Sequence, residues 1–303
     1  MAFLRCEIPE VIIPLFPDVA TDKTLRTAGQ TAAVNQWRIS SNAALSDVRR
    51  LVSEGVPVMT RNVVPYLLAD AQELAVHHNA SQKLQYHDAA TFTESWGYRT
   101  VDVGSVSYAK NFEASKERMT LKDYVTASKA ASAAPAETTS GKYYTRAPHY
   151  VSQMDPDACV EGRDILGRFV EAAMPSSGYN PIVCPPPSGL LGMMKVQYYQ
   201  GEPWSGAPFH MHSDALNVVV AGKKRWLWVA PRDAVWTRRH IQEYTGEEKG
   251  RPWKDFSKDK ASSMDSDDVE GHIMECAQHG GDVMYIAQGW GHASLNIQDG
   301  TFG

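Results

Sequence analysis

The chain has 303 residues, enough for a substantial buried core in one large domain or two small ones. With 43% hydrophobic and 21% charged residues it has ordinary globular proportions, which excludes a disordered or fibrous chain. Thirty Lys and Arg against thirty-five Asp and Glu leave a net charge of −5, which argues against a broad nonspecific nucleic-acid surface.

From the N-terminus, the apolar run Val11 to Phe16 is broken by Pro14 and preceded by acidic residues. It reads as neither a signal peptide nor a membrane span. Ser40-Ser41-Asn42 is a candidate cap for a helix whose apolar face takes Leu45, Val48, Leu51 and Val52, with Gly55 as its stop. Val56 to Met59 reads as a short buried strand, Val63 to Ala75 as a second amphipathic helix, Arg99 to Val106 as a strand, and Thr120 to Tyr124 as the opening of another helix. The small, polar, Pro- and Gly-punctuated stretch 128–142 is expected to be a flexible loop. Asp164 to Ala173 is helical in pattern, and Pro175 to Gly189 is stiff and extended around Pro185-Pro186-Pro187.

Beyond this point short apolar and aromatic runs alternate with glycines and prolines: Leu190 to Tyr199, Leu216 to Val220, Arg225 to Val229 and Val283 to Ile286. These are strand signals for an antiparallel barrel or jelly roll. The expected fold is mainly β with helical decoration, a helical N-terminal region buttressing a β-barrel. The charged stretch 247–268 reads as a solvated insertion between barrel strands, with a substrate-facing lid as the alternative. The four cysteines, Cys6, Cys159, Cys184 and Cys276, are scattered with no CxxC spacing. That pattern predicts neither a disulfide framework nor a zinc knuckle, and fits a cytoplasmic or nuclear protein.

The chemistry concentrates in two segments. In Gly206-Ala-Pro-Phe-His210-Met-His212-Ser-Asp214, residues two apart on a strand face one side, so His210 and His212 can aim both imidazoles inward. In Gly280-Gly-Asp-Val-Met-Tyr-Ile-Ala-Gln-Gly-Trp290-Gly-His292, a strand and turn deliver a third histidine. Three ligands on one face leave open positions on a metal for substrate and O2. The remaining histidines, His77, His78, His87, His149, His240, His272 and His279, read as ordinary surface or core residues.

Together with Gly222-Lys-Lys224-Arg-Trp226, these segments resemble the JmjC, or cupin-like, family of iron(II)- and 2-oxoglutarate-dependent oxygenases. The likeness covers roughly residues 56–303, behind an N-terminal extension at 1–55, and is strongest at 206–226 and 280–296. It implies a double-stranded β-helix with its core in 175–303. It also implies Fe(II) as cofactor, 2-oxoglutarate as co-substrate, and His210, His212 and His292 as metal ligands. The family places a carboxylate where His212 stands. A second register, His212-Ser213-Asp214, would restore it with Asp214 as ligand, although Pro208-Phe209-His210 resembles the approach to the first ligand.

By resemblance Lys224 meets the distal carboxylate of 2-oxoglutarate, with Asn217, Tyr199 and Asn296 lining the same pocket. A lysine aimed into a barrel is costly without an anion, which gives the assignment a physical reason. Relatives often carry a hydroxyl three residues before the first ligand. Ala207 stands there, so that contact would come from Ser205, Tyr198 or Tyr199.

The function implied is hydroxylation of a protein side chain, with N-methyl-lysine demethylation or RNA-base hydroxylation behind it. The alternatives are a cupin-like scaffold without turnover and a metal-dependent cupin enzyme that does not use 2-oxoglutarate. Expected partners are a protein substrate, O2 and a second copy of the chain as homodimer, with no membrane and no strong nucleic-acid signal. Eleven residues follow His292, so they either close the barrel as its last strand or leave it short.

Overall fold

A computed structural model describes residues 6–14, 28–63, 93–94, 97–104, 116–133, 150–153, 198–203, 205–234, 236–237, 273–298 and 300–303. The N-terminal half supplies β1 (Glu10–Ile12), α1 (Ala28–Ser53), β2 (Val58–Arg61), β3 (Thr100–Gly104), β4 (Lys116–Thr120), α2 (Leu121–Ala133) and β5 (Tyr150–Gln153). Then come β6 (Tyr198–Gly201), β7 (Gly206–His210), β8 (Ala215–Val218), β9 (Lys223–Val229), β10 (Met274–His279), β11 (Val283–Ile286), β12 (Gly291–Asn296) and β13 (Thr301–Phe302).

Strands β6 to β13 divide between two layers, and successive strands change layer except β9 and β10, which pair antiparallel within one. One is ordered β10-β9-β12-β7. The other joins β13-β6 to β8 through the Ala221 and Phe302 bridge, with β11 alongside β8. Consecutive strands that pass from sheet to sheet in this way make a double-stranded β-helix, the fold expected from the sequence. The second sheet extends outward on both flanks. At one end β2 pairs with β11 and β1 lies parallel on β2; at the other, β5, β3 and β4 follow β6. The segment after β12 contributes β13, which pairs with β6.

Period-two alternation sorts the β9 side chains. Trp226 and Trp228 point between the sheets, where they pack with Met59, Met284, Ile286 and Ile8. Leu227 and Val229 point outward with Phe209, Ala293 and Leu295. Arg225 shares the outward parity and forms a buried ion pair with Glu275 of β10. Gly206 is required where β7 crosses β12, because a Cβ there would stand 1.8 Å from the Ser294 carbonyl oxygen.

The helices cover the outer faces of the extended sheet. Leu45 and Val48 of α1 pack on Val58, Val218 and Val283, and Leu121 and Tyr124 of α2 on Val101, Val103 and Phe302. The α2 start follows from a side-chain N-cap: the Thr120 hydroxyl accepts from the Asp123 N–H at 3.1 Å and donates to the Asp123 carboxylate at 2.6 Å. Helix α1 ends at Gly55, whose φ of +67° suits glycine.

Three expectations need correction. Helix α1 begins at Ala28, so Ser40-Ser41-Asn42 sits inside it and caps nothing; Ser41 is buried at the packing face instead. Residues 128–133 of the expected loop are helical, since an alanine-rich run has high helix propensity. Cys6 and Cys276 form a disulfide across 270 residues of sequence. Spacing rules see only neighbouring cysteines, whereas here the Glu7 N–H bonds to the Glu275 carbonyl and lays the N-terminal segment beside β10. The expected elements over 64–75, 164–173 and 175–189, the remainder of the loop at 134–142, and the 247–268 insertion lie outside the described residues.

Candidate metal centre

His210 is the last residue of β7 and His292 the second of β12, and the ladder sets them directly opposite each other. His212 follows two residues beyond the end of β7. The ring nitrogens available from His210, His212 and His292 all lie within 4.8 Å of one another. The ring centroids of His210 and His292 are 4.3 Å apart and those of His212 and His292 4.7 Å.

Each ring has one nitrogen held by the backbone. His210 Nδ1 lies 2.8 Å from the Pro208 carbonyl, His212 Nδ1 2.5 Å from that of Ser213, and His292 Nδ1 3.0 Å from that of Trp290. A carbonyl only accepts, so each Nδ1 carries the proton and each Nε2 presents a lone pair. Burial pushes the His210 imidazolium down to about 4, opposed by its hydrogen bond to Pro208, and burial with both neighbouring histidines pushes His292 well below its ordinary value. Both rings are therefore neutral near pH 7, the state that ligates metals.

The Nε2 atoms of His212 and His292 are 3.1 Å apart. Two imidazoles bound about 2.1 Å from one ion at a right angle would hold their nitrogens about 3.0 Å apart. The donor set thus fits a divalent metal on one triangular face. Asp214 is outside this cluster: its Oδ1 accepts from the Tyr285 hydroxyl at 2.9 Å and the Gln288 N–H at 2.7 Å. The other sulfur- and carboxylate-containing group, Cys6, Glu10 and Cys276, is closed by the disulfide. His279 lies on the surface beside Asp282, and the other six histidines lie outside the described residues.

The tryptophans of β9 line the floor. Trp228 stands opposite His292 with ring centroids 5.4 Å apart, and Trp226 stacks on Trp228 at 5.5 Å. Trp226 donates to Gln278 at 2.8 Å, while the buried Trp228 Nε1 has no hydrogen-bond partner among the described residues. Trp236 is half exposed at the rim, 5.9 Å from the His210 ring.

Further along the same inward face sits Lys224, opposite Asn296. It is almost fully buried, its Nζ lies 3.5 Å from the centre of the Tyr199 ring, and burial pulls its pKa down to about 7. An ammonium held there gains from any anion that enters. The Tyr199 hydroxyl donates to the Val218 carbonyl at 2.8 Å and lies 3.2 Å from Asn217 Oδ1. Asn296 donates to the Ser205 hydroxyl at 3.1 Å, and its buried Oδ1 has no hydrogen-bond partner among the described residues. Lys224, Tyr199, Asn217 and Asn296 thus lie together at one polar end of the barrel, with Ser205 beside Asn296.

One residue escaped the sequence reading. Ser294, buried on β12, shares the face of His292 and pairs with Ala207, so it brings a hydroxyl beside the position where one was expected and missing. A bulge between His292 and Ser294 sets that register. The signal available was its place two residues after His292 on a strand. The side chain of Tyr198 lies outside the described residues.

No protein-family model matches the sequence. Among curated proteins, the chain is 28% identical over 119 residues to JmjC domain-containing protein 8 of Homo sapiens, covering 39% of this chain and 40% of that one. It is 27% identical over 161 residues to the protein of the same name from Mus musculus, covering 50% and 54%, and 27% identical over 164 residues to that of Rattus norvegicus, with the same shares. The chain therefore spans about half the length of the curated relatives it matches.

Proposed function

The chain is a relative of the JmjC-domain proteins, and from that premise we propose that it is an iron(II)- and 2-oxoglutarate-dependent oxygenase that hydroxylates a protein side chain. The observation that carries the reading is the convergence of three imidazole lone pairs at one end of a barrel whose other polar end holds a buried lysine. Bound iron(II) would supply the oxygen-activating centre that couples decarboxylation of 2-oxoglutarate to oxidation of a substrate C–H bond.

The protein's own residues supply the rest. His210, His212 and His292 would hold the metal by Nε2, their tautomers locked by the carbonyls of Pro208, Ser213 and Trp290. Lys224 receives the distal carboxylate of the co-substrate, with Asn296 opposite it on the neighbouring strand. Trp226 and Trp228 wall the space between the two ends and exclude water. Trp236 at the rim offers an apolar face to an incoming side chain.

A second reading is favoured by His212. Three neutral imidazoles leave one more positive charge at the metal than two imidazoles and a carboxylate, which suits a metal-dependent barrel enzyme that does not use 2-oxoglutarate. The Cys6–Cys276 bridge supports assembly in an oxidising compartment for either reading. No helix among the described residues is long and apolar enough to cross a membrane.

Anaerobic addition of iron(II) and 2-oxoglutarate to the purified chain tests these readings. The oxygenase should develop the weak visible charge-transfer band of a chelated 2-oxo acid and release succinate once air is admitted. Metal uptake without the band would favour the second reading, and no metal uptake would leave a binding or scaffold protein.

A further inference from the structure

The second histidine of the centre has no strand to hold it. Strand β7 ends at His210, and the ladder of β7 with β12 fixes only His210 and His292. His212 has its Nδ1 on the carbonyl of the very next residue, Ser213, a local contact that turns the ring without anchoring the segment. Just beyond it Ala215 pairs with Ile286 of β11, and the segment itself is clasped to the turn between β11 and β12, the turn that leads into His292. The Gly289 N–H donates to the His212 carbonyl at 3.2 Å. One carboxylate oxygen of Asp214 accepts from the Gln288 N–H at 2.7 Å and from the Tyr285 hydroxyl at 2.9 Å.

Charge-assisted bonds to a carboxylate are roughly twice as strong as neutral ones. Asp214 is therefore the strongest tie between the segment bearing His212 and the turn bearing His292. Tyr285 is itself held in the packing between α1 and the sheet, so the tie ends on a rigid part of the fold. Both donors reach the same oxygen, Gln288 from the turn and Tyr285 from β11.

We propose that Asp214 is the positioning residue of the metal centre: it sets His212 Nε2 against His292 Nε2 by clasping their two segments together, and it does not ligate the ion. The inference rests on the reading that the three histidines bind a metal.

Cobalt(II) titration of the full chain, followed by calorimetry, by the visible cobalt absorption and by thermal melting, tests it with Asp214→Asn, Asp214→Ala and His212→Ala. An asparagine keeps the acceptor oxygen but is a far poorer metal ligand than a carboxylate. Asp214→Asn should therefore bind cobalt within about threefold of wild type with the same spectrum. Asp214→Ala should remain folded, bind roughly 10–100-fold more weakly, and show the altered spectrum of His212→Ala. If Asp214→Ala is too unstable to purify, Tyr285→Phe removes one donor and leaves the carboxylate; a several-fold loss of affinity with a shifted spectrum is expected, and unchanged binding overturns the clasp. Wild-type binding in Asp214→Ala also overturns it. Loss of cobalt in Asp214→Asn equal to that in His212→Ala overturns it by making Asp214 a ligand. A wild-type chain that takes up no cobalt overturns the metal reading, and the clasp with it.

Discussion

The Nε2 atoms of His212 and His292 stand 3.1 Å apart although each ring has its Nδ1 committed to a backbone carbonyl. Two facing lone pairs at that distance repel unless a cation lies between them, and a metal ion also served by His210 satisfies all three rings at once. The wild-type chain is expected to take up one divalent ion. His210→Ala, His212→Ala and His292→Ala should each weaken that uptake by at least about 100-fold, beyond the effect of losing a supporting contact. Calorimetric titration with iron(II) or cobalt(II) reads this directly. Full-strength binding after loss of His292 would place the site elsewhere.

Lys224 gives the centre a pH dependence of definite sign. Burial holds its pKa near 7 against an ordinary value of 10.5. Below about pH 7 both the folded and unfolded chains carry the proton, and the cost of burying the charge is fully present. Between about 7 and 10.5 the unfolded chain binds the extra proton, so stability rises with pH across that window. Affinity for a dicarboxylate runs the other way, because the anion needs the ammonium. It should be full below pH 7 and fall by up to about tenfold per unit above it. Lys224→Met should bind 2-oxoglutarate roughly 10–100-fold more weakly with no slope above pH 7, and should melt higher than wild type at pH 6.5. Calorimetry on metal-saturated protein at several pH values checks the slope. An identical slope in wild type and Lys224→Met would assign it to another group.

What could be read from the sequence was local. His210 with His212, and Trp290 with His292, announce themselves by spacing within single strands and turns. Lys224 does so because a charged residue in an apolar strand demands a partner. The strands of the second half were legible by their apolar alternation, and β11 matches its expected bounds at both ends. What escaped depends on pairing between distant segments. The Cys6–Cys276 bridge joins residues 270 apart. Ser294 gains its place only through a bulge against β7, and Asp214 is distinguished from a ligand only by Tyr285 and Gln288 reaching it from the next hairpin. The start of α1 was hidden because sequence around 28–40 lacks a clear apolar stripe, so the nearest Ser and Asn were read as a cap.

Arg225 and Glu275 form an ion pair that is buried on the outer face of β9 and β10. Removing one partner strands the other charge in an apolar layer with Leu227 and Ile273 nearby. Arg225→Met alone should cost about 3–5 kcal/mol in urea denaturation, whereas Arg225→Met with Glu275→Leu should restore most of it. A double variant as unstable as the single one would show that the pair contributes more than mutual neutralisation.

The disulfide fastens the N-terminal segment to the strand that backs the tryptophan floor. Cys276 is fully buried among Trp226, Trp228 and Met284, while Cys6 is partly exposed. Substitution at Cys6 therefore isolates the cross-link from cavity effects. Cys6→Ser should lower stability by about 2–5 kcal/mol, as expected for opening a long covalent loop. Saturating reductant should bring the wild type to the same denaturation midpoint and leave Cys6→Ser unmoved. Peptide mapping without reductant should recover Cys6 and Cys276 on one linked fragment. Because β1 lies on β2, which pairs with the β11 strand leading to the His292 turn, the reduced protein should also bind cobalt more weakly than the oxidised one. Equal midpoints for wild type and Cys6→Ser, with both thiols free in protein prepared under air, would show that the fold does not depend on the bridge.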